Sequence, residues 1–270
     1  MTVQRYALVL GASRGIGRAV ARRLAAEEGM RLCLPWFDWP DAAQEMAAEF
    51  HGHLVLQVDL REPESVAALA ERIAADFGSL HILVNNIERG GMPAVHGSYS
   101  RPINSGQWQL EMETTLHAKW LVLEHCLPLL RRAEQAAVVN ISSVAALTGR
   151  SGPAGLLFSD GYAAANRGVA SLTETWARRG APSIRVNELM LGLFATRHGP
   201  GTRGWSLLTE TEREALLAQT LLRRTGRPEE VAEATLFLLN AAYLTGATLR
   251  LDGGFVLGAA QVPEMPPGIL

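Results

Sequence analysis

The sequence predicts a single doubly wound α/β domain: seven parallel strands in one sheet, with helices on both faces. Three observations carry that expectation. Apolar runs alternate with helical stretches along almost the whole chain. The runs are continuously apolar rather than alternating, as strands covered on both faces require. The first run ends in a glycine-rich turn that opens directly into a helix, "LGASRGIGRAV".

Taken in order, "YALVLGA" is a buried strand entering that turn, and "GIGRAVARRLAAEEG" is a helix stopping at Gly29. "MRLCLPWFD" is a second strand, ended early by Pro35. "DAAQEMAAEF" is a helix and "HLVLQVD" a third strand. "PESVAALAERIAADFG" has Pro63 in its first turn and Gly78 past its end, the usual asymmetry of helix termini. "LHILVNN" is a fourth strand, followed by a polar loop rich in glycine and proline from about Glu88 to Gly106. A long helix then runs from near Gln107 to Arg132, and "AAVVNIS" is the fifth strand. A loop from Ser143 to Gly161 leads into a helix through Arg179, and "SIRVNEL" is the sixth strand. "TETEREALLAQTLL" opens with a capping-box pattern, Thr209 to Glu212. "PEEVAEATLFLLN" is a helix begun by Pro228, and "ATLRLDGG" is the last strand. No linker or repeat interrupts this order, so one domain is expected over residues 1–255, with an extended tail at 256–270.

Composition agrees with an ordinary globular protein: 270 residues, 48% hydrophobic and 19% charged. A net charge of −2 gives no basic footprint for nucleic acid or an anionic membrane. No apolar stretch reaches the ~18 residues of a membrane span. The N-terminus enters a strand at once, without the basic and apolar regions of a leader, and a cytoplasmic location is expected. Cys33 and Cys126 lie in apolar runs and read as buried free thiols. His51 and His53 could share a strand face, but no third ligand has metal-site spacing, so no metal is expected. Lys119 is the only lysine.

In the glycine turn, Gly11 permits the tight turn, Gly15 lets the backbone approach a pyrophosphate, and Gly17 allows close helix–strand packing. Free N–H groups at the helix start would face the anion. With this turn, "VDL", "ILVNN", "VVNISS", the tyrosine of "GYAAANRG", "IRVN", "GRPEEVAEATLFLL" and "TGATLRLDGG" follow in order. Together they resemble the short-chain dehydrogenase/reductase family over roughly Tyr6 to Phe255. The resemblance implies a Rossmann-type sheet and an NAD or NADP site at Gly11, Ser13, Arg14, Gly15, Ile16, Gly17, Asp59, Leu60 and Asn85. It also implies association into dimers or tetramers through the two long helices, which carry Leu116, Trp120, Leu123, Leu127 and Leu130, and Ala163, Ala164, Val169, Ala170 and Trp176.

The resemblance assigns Ser143 to the substrate oxygen and Tyr162 to general acid/base work. An unperturbed phenol titrates near pH 10, so a neighbouring cation must stabilise its anion. The family places a lysine four residues after the tyrosine, and here that residue is Asn166. Arg167 lies about 100° further round the helix and should point away. The family's asparagine in the long helix is Thr115 here. Lys119, four residues on and on the same face, is expected as a snorkelling or interface lysine rather than a displaced cation.

Further departures accumulate. The family's threonine before the first glycine is Leu10, and its Pro-Gly after the sixth strand is Leu191-Gly192. Glu88 replaces a glycine beneath the cofactor, where a carboxylate should crowd the ribose and repel the pyrophosphate. Trp36 stands where an acidic residue grips the NAD ribose. Arg14 would favour a 2′-phosphate, whereas Trp36 and Phe37 would fill the adenosine pocket. The apolar cluster Leu156, Leu157 and Phe158 reads either as a lid over an apolar substrate or as packing against a neighbouring subunit.

These departures lead to the expectation of a catalytically impaired or inactive subunit that binds NAD or NADP weakly or not at all. It would partner an active NAD(P)-dependent relative, or itself, in an oligomer. The alternative is an active NAD(P)-dependent alcohol dehydrogenase or carbonyl reductase that uses Tyr162 and Ser143, without the lysine, on a small-molecule substrate.

Overall fold

The computed structural model describes residues 4–88, 105–196, 208–258 and 260. All seven expected strands form: β1 (Arg5–Val9), β2 (Met30–Trp36), β3 (Leu54–Gln57), β4 (Ile82–Asn85), β5 (Ala136–Ser143), β6 (Ile184–Leu191) and β7 (Thr248–Leu251). They make one sheet in the order β3-β2-β1-β4-β5-β6-β7, with every neighbouring pair parallel. The direction of winding reverses between β1 and β4. Ligands of such sheets bind in the crevice beyond the carboxyl ends of the strands at that point.

The helices are α1 (Gly15–Ala25), α2 (Pro40–Glu49), α3 (Pro63–Phe77), α4 (Ser105–Met112), α5 (Ala118–Arg132), α6 (Ala145–Thr148), α7 (Asp160–Gly180), α8 (Glu210–Gln219) and α9 (Pro228–Asn240). Alternate strand residues feed two cores. Leu8, Cys33, Leu83, Val138 and Val186 pack against α3, α5 and α7. Ala7, Val9, Leu32, Val84, Val139 and Leu189 pack against α1, α2 and α9. Double coverage is why the central strands read as largely apolar runs, whereas β7 at the sheet edge alternates exposed and half-buried residues. Each fully buried leucine contributes about 2 kcal/mol of burial free energy. Cys33 and Cys126 are both free and buried in the first core. Burial raises both thiols, Cys126 to about 12, so neither is poised as a nucleophile.

The capping box at α8 forms: Thr209 Oγ1 accepts from the Glu212 N–H at 3.3 Å, and Glu212 Oε2 accepts from the Thr209 N–H at 2.7 Å. The expected long helix is not uniform. A π-helical turn, Glu113–His117, joins α4 to α5 and contains Thr115. Such turns add a residue to a helix and recur at functional sites.

Two expectations about exposed surfaces are corrected. Leu123, Leu127 and Leu130 belong to the first core, because the helix lies on the sheet and its 3.6-residue period turns them inward; Val169 and Trp176 are also buried. Leu116 and Trp120 remain near the surface, where they line a groove of about 650 Å³ with Trp108 and Leu172. Leu157 and Phe158 are buried within the chain in a third core with Tyr162, Leu216 and Phe255. Leu156, the third member of the expected cluster, is half-buried and packs against this core. Most of the loop expected from Glu88 to Gly106, and most of the tail, lie outside the described residues. Among the described residues no helix is long and apolar enough to cross a membrane.

Candidate active site

The glycine turn forms at the winding reversal. Gly11 has φ 66° and Gly15 φ 55°, in the left-handed region that favours glycine. A Cβ on Gly17 would lie 2.2 Å from the carbonyl oxygen of Gly11, so the helix packs onto the turn only without a side chain there. Arg18 braces the turn from behind. Its guanidinium donates to the carbonyls of Ser13 at 3.1 Å and Ala42 at 3.3 Å, and to Glu49 at 2.8 Å. Hydrogen bonding from Arg22, helped by Arg18, lowers the Glu49 carboxyl to about 2. The start of α1 has no side-chain cap and no acidic residue in its first turn. These features fit a pyrophosphate anion.

The other expected cofactor residues take different environments. Ser13 and Ile16 are half-buried, and Leu60 lies in the first core. The Arg14 guanidinium stacks 3.8 Å from the Trp39 ring centroid. Asp59 binds Arg61 through both carboxylate oxygens, at 2.9 and 2.5 Å, and this hydrogen bonding holds its carboxyl below the usual range. Trp36 packs partly into the second core, whereas Phe37 is exposed beneath the Arg61 guanidinium. The Asn85 side chain is wholly buried: its amide donates to Asn140 Oδ1 at 3.2 Å and to the Lys119 carbonyl at 3.3 Å. It supports the site from beneath.

That contact begins a polar row through the apolar sheet. Asn85, Asn140, Glu188 and Thr248 stand in register on β4, β5, β6 and β7. Asn140 donates onward to Thr173 of α7 at 2.9 Å. Glu188, fully buried, accepts from Ser142 and Thr248 hydroxyls, each at 2.5 Å. Apart from Asn85 Oδ1, which is buried without a partner, the polar groups of the row are paired and avoid the full desolvation penalty.

Ser143 ends β5, nearly buried, and its Oγ accepts from the Ala145 N–H at 3.2 Å. Tyr162 occupies the first turn of α7, which Ser159 caps by accepting the Tyr162 N–H at 3.2 Å. The Ser159 hydroxyl donates to Glu111 of α4 at 2.5 Å, fastening the two helices together. A Cβ on Gly161 would lie 2.5 Å from Glu111 Oε2, so "GYAAANRG" needs its leading glycine. The Tyr162 ring stacks on Phe158, and its hydroxyl donates to the carboxylate of Glu88. Asn166 is buried and donates from Nδ2 to the Tyr162 carbonyl at 2.9 Å. Arg167 is exposed, on another face from Tyr162. Asn166 Oδ1 and Thr115 Oγ1, at the positions where the resemblance implies a lysine and an asparagine, are buried without a hydrogen-bond partner.

Lys119 corrects a further expectation. It is 1% exposed rather than snorkelling. Its Nζ donates to the carbonyl of Ile87 at 2.5 Å and to that of Thr115 at 3.0 Å. Burial lowers the ammonium to about 8, while the charges of Glu88 and Glu188 oppose that fall. The missed signal was positional, since Lys119 falls on the helix stripe of Thr115, Val122 and Cys126, all of which face inward. The contact between Glu88 and Tyr162 joins chain segments 74 residues apart and has no local sequence signal. Among the described residues no group of three or more His, Cys, Asp or Glu could hold a metal ion.

A parallel sheet with a phosphate-binding turn at its switch point, and a serine and tyrosine at the ends of β5 and α7, defines the class of dinucleotide-dependent oxidoreductases. Within it the chain belongs to the short-chain dehydrogenase/reductase family: a family model described as enoyl-(acyl carrier protein) reductase matches residues 11–256. The chain is 36% identical over 259 residues to cis-4-hydroxycyclohexanecarboxylate dehydrogenase of Sinomonas cyclohexanicum, covering 93% of this chain and 96% of that one. It is 31% identical over 262 residues to the 3-oxoacyl-[acyl-carrier-protein] reductase FabG of Vibrio cholerae, covering 94% and 98%. A solved structure of a short-chain dehydrogenase/reductase from Burkholderia xenovorans shares the fold. Its TM-score is 0.78 at 24% identity, covering 96% of this chain and all of that one.

Proposed function

We propose that this chain is an NAD(P)-dependent oxidoreductase that interconverts a secondary alcohol and a ketone, with Ser143 holding the substrate oxygen and Tyr162 exchanging its proton. One observation carries the reading: the Tyr162 hydroxyl is bonded to Glu88. The position that replaces a glycine supplies a charged partner to the same phenol that the exchange at Asn166 deprives of a cation. Two departures that look like separate losses in sequence meet at one group.

The glycine turn and the start of α1 would hold the pyrophosphate, and Arg14 would lie near the adenosine end. Bound NAD(P) would take up the carbinol hydride in oxidation and return it in reduction. The side chains would hold the substrate, exclude water and move the proton. The names of the relatives make cyclic hydroxy acids and 3-oxoacyl thioesters the first compounds to try.

A second reading, a non-catalytic partner subunit, is favoured by the groove at Trp108 and Trp120, which offers an association surface on α4 and α5. One experiment addresses both. Calorimetry with NAD and NADP, followed by turnover assays on those compounds, should show saturable binding of one cofactor. Turnover should fall about 10²-fold or more in Tyr162→Phe. Failure to bind either cofactor, or turnover indifferent to Tyr162→Phe, overturns the first reading. Binding with turnover only after a homologous subunit is added establishes the second.

A further inference from the structure

We propose that Glu88 is the proton acceptor of this active site, acting directly on the hydroxyl of Tyr162, and that Lys119 is the positioning residue that holds the Glu88 segment from inside the core. This rests on the oxidoreductase reading above and adds two residues that the family's own motif does not contain.

The geometry supplies each part. Tyr162 donates its hydroxyl proton to the Glu88 carboxylate. A phenol held this way turns its proton away from the substrate, and a phenol oxygen can accept a proton as it gives one up. In oxidation, the substrate O–H proton passes to the Tyr162 oxygen while the Tyr162 proton passes to a Glu88 oxygen. One O–H bond breaks and one forms at tyrosine, which ends neutral as it began. Glu88 ends protonated, having gained the proton the substrate lost, and then releases it to solvent. The carbinol hydride leaves separately, as described above, so proton and electron pair are both accounted for. Reduction runs the same steps backward from protonated Glu88. No tyrosinate needs to accumulate, and so no lysine beside the phenol is required.

A carboxylate acting in this way needs a fixed backbone and a counter-charge, and Lys119 offers both. Its ammonium grips the carbonyl of Ile87, the residue just before Glu88, and that of Thr115 in the π turn. It therefore joins the segment after β4 to the helix behind it. The charged groups that act on Lys119 are Glu88 and, from β6, Glu188, whose oxygens are already engaged by Ser142 and Thr248. Two further carboxylates stand at the start of α7: Glu111 is bonded to Ser159 and Gln107, and Asp160 is paired with Arg150.

The chain's single lysine makes the test direct. Protein labelled with ¹³C and ¹⁵N in lysine alone should give one side-chain signal, titrating near pH 8 in the cofactor-free protein. In Glu88→Gln its midpoint should fall by about half a pH unit or more, because a nearby negative charge is removed. A midpoint unmoved in a folded Glu88→Gln protein overturns the pairing. In turnover, Glu88→Gln should lower kcat about 10²-fold with cofactor Kd, by calorimetry, within about threefold. Glu88→Asp should recover part of the loss. Lys119→Met, which keeps an unbranched chain of similar volume, should lower kcat about tenfold and shift the pH profile of kcat. An active wild type whose Glu88→Gln form is equally active overturns this proposal and leaves the oxidoreductase reading standing. A wild type inactive on every compound and binding neither cofactor overturns both.

Discussion

The ammonium of Lys119 and the carbonyl oxygen of Ile87 lie 2.5 Å apart, joining the first turn of α5 to the segment that leaves β4 for the active site. Few contacts in the molecule bind so much to one side chain. The same nitrogen reaches Thr115 in the π turn, and the Lys119 carbonyl accepts from Asn85 at the start of the polar row. Buried charge is tolerated here because backbone carbonyls and two carboxylates surround it.

A pH signature follows from that burial. The folded ammonium is lowered to about 8 from an ordinary 10.5. Between those values the unfolded chain holds a proton that the folded chain has released, so stability rises as pH rises through this window. The gain should approach about 3 kcal/mol. Urea unfolding from pH 7 to 10 should show it in the wild type, and Lys119→Met should lack it. Equal slopes for the two proteins would exclude the burial of a titrating lysine.

The polar row should be sensitive to truncation. Asn140→Ala leaves the Asn85 amide and the Thr173 hydroxyl without this shared partner, and should lower stability by about 2–3 kcal/mol. Thr115→Val removes a buried hydroxyl with no partner and should be neutral or stabilising by about 1 kcal/mol. Chemical denaturation of the pair checks both signs.

The glycine turn gives a local test of cofactor binding. In Gly17→Ala the new methyl group would lie 2.2 Å from the Gly11 carbonyl oxygen and must displace it. Stability should drop by about 1–3 kcal/mol, as overpacking does. Calorimetry should show NAD(P) binding weakened at least about tenfold, since the anion is held by the backbone N–H groups that move.

Residues 88 and 166 should be coupled. Asn166→Lys alone forces a longer side chain into a filled position beside Tyr162, whereas Glu88→Gly alone removes the phenol's carboxylate. Thermal unfolding and turnover should show the double variant less impaired than the sum of the singles, by more than about 0.5 kcal/mol. Strict additivity would mean that the two sites do not sense each other.

The tryptophan groove predicts an effect on assembly. Trp120→Asp puts a charge on an apolar face lined by Leu116, Trp108 and Leu172. Light scattering should show a smaller oligomer than the wild type, with the far-ultraviolet circular dichroism of the fold retained. An unchanged mass would remove this face from the association surface.

The strands, the helix starts and the glycine turn were legible because they depend on local pattern: apolar runs, glycine spacing and proline at helix starts; the Rossmann-type winding came with the family resemblance. The capping box at Thr209 and Glu212 was legible for the same reason. Thr115 and Asn166 were singled out by counting along the motif, but counting does not reveal that both are buried with a polar atom left unpartnered. Lys119 was misassigned because a lone charge in an apolar helix was judged by residue type rather than by the stripe it occupies. Leu157 and Phe158 were read as a lid or as subunit packing because sequence does not reveal that Phe255 and Leu216 close over the same core. Glu88 was visible as an anomaly, but a carboxylate reveals its role only once its partner 74 residues away is placed beside it.

Sequestering the sole lysine also changes how this protein meets the chemistry of amines. Every surface cation contributed by a basic side chain other than histidine is a guanidinium, which stays charged and is a poor nucleophile at neutral pH. Reagents that acylate lysine would find only the terminal amine, and side-chain conjugation through isopeptide bonds would have no accessible acceptor while the chain is folded. Modification of Lys119 would thus report local opening of α5, so the rate of amine acylation measures how often this core is breached.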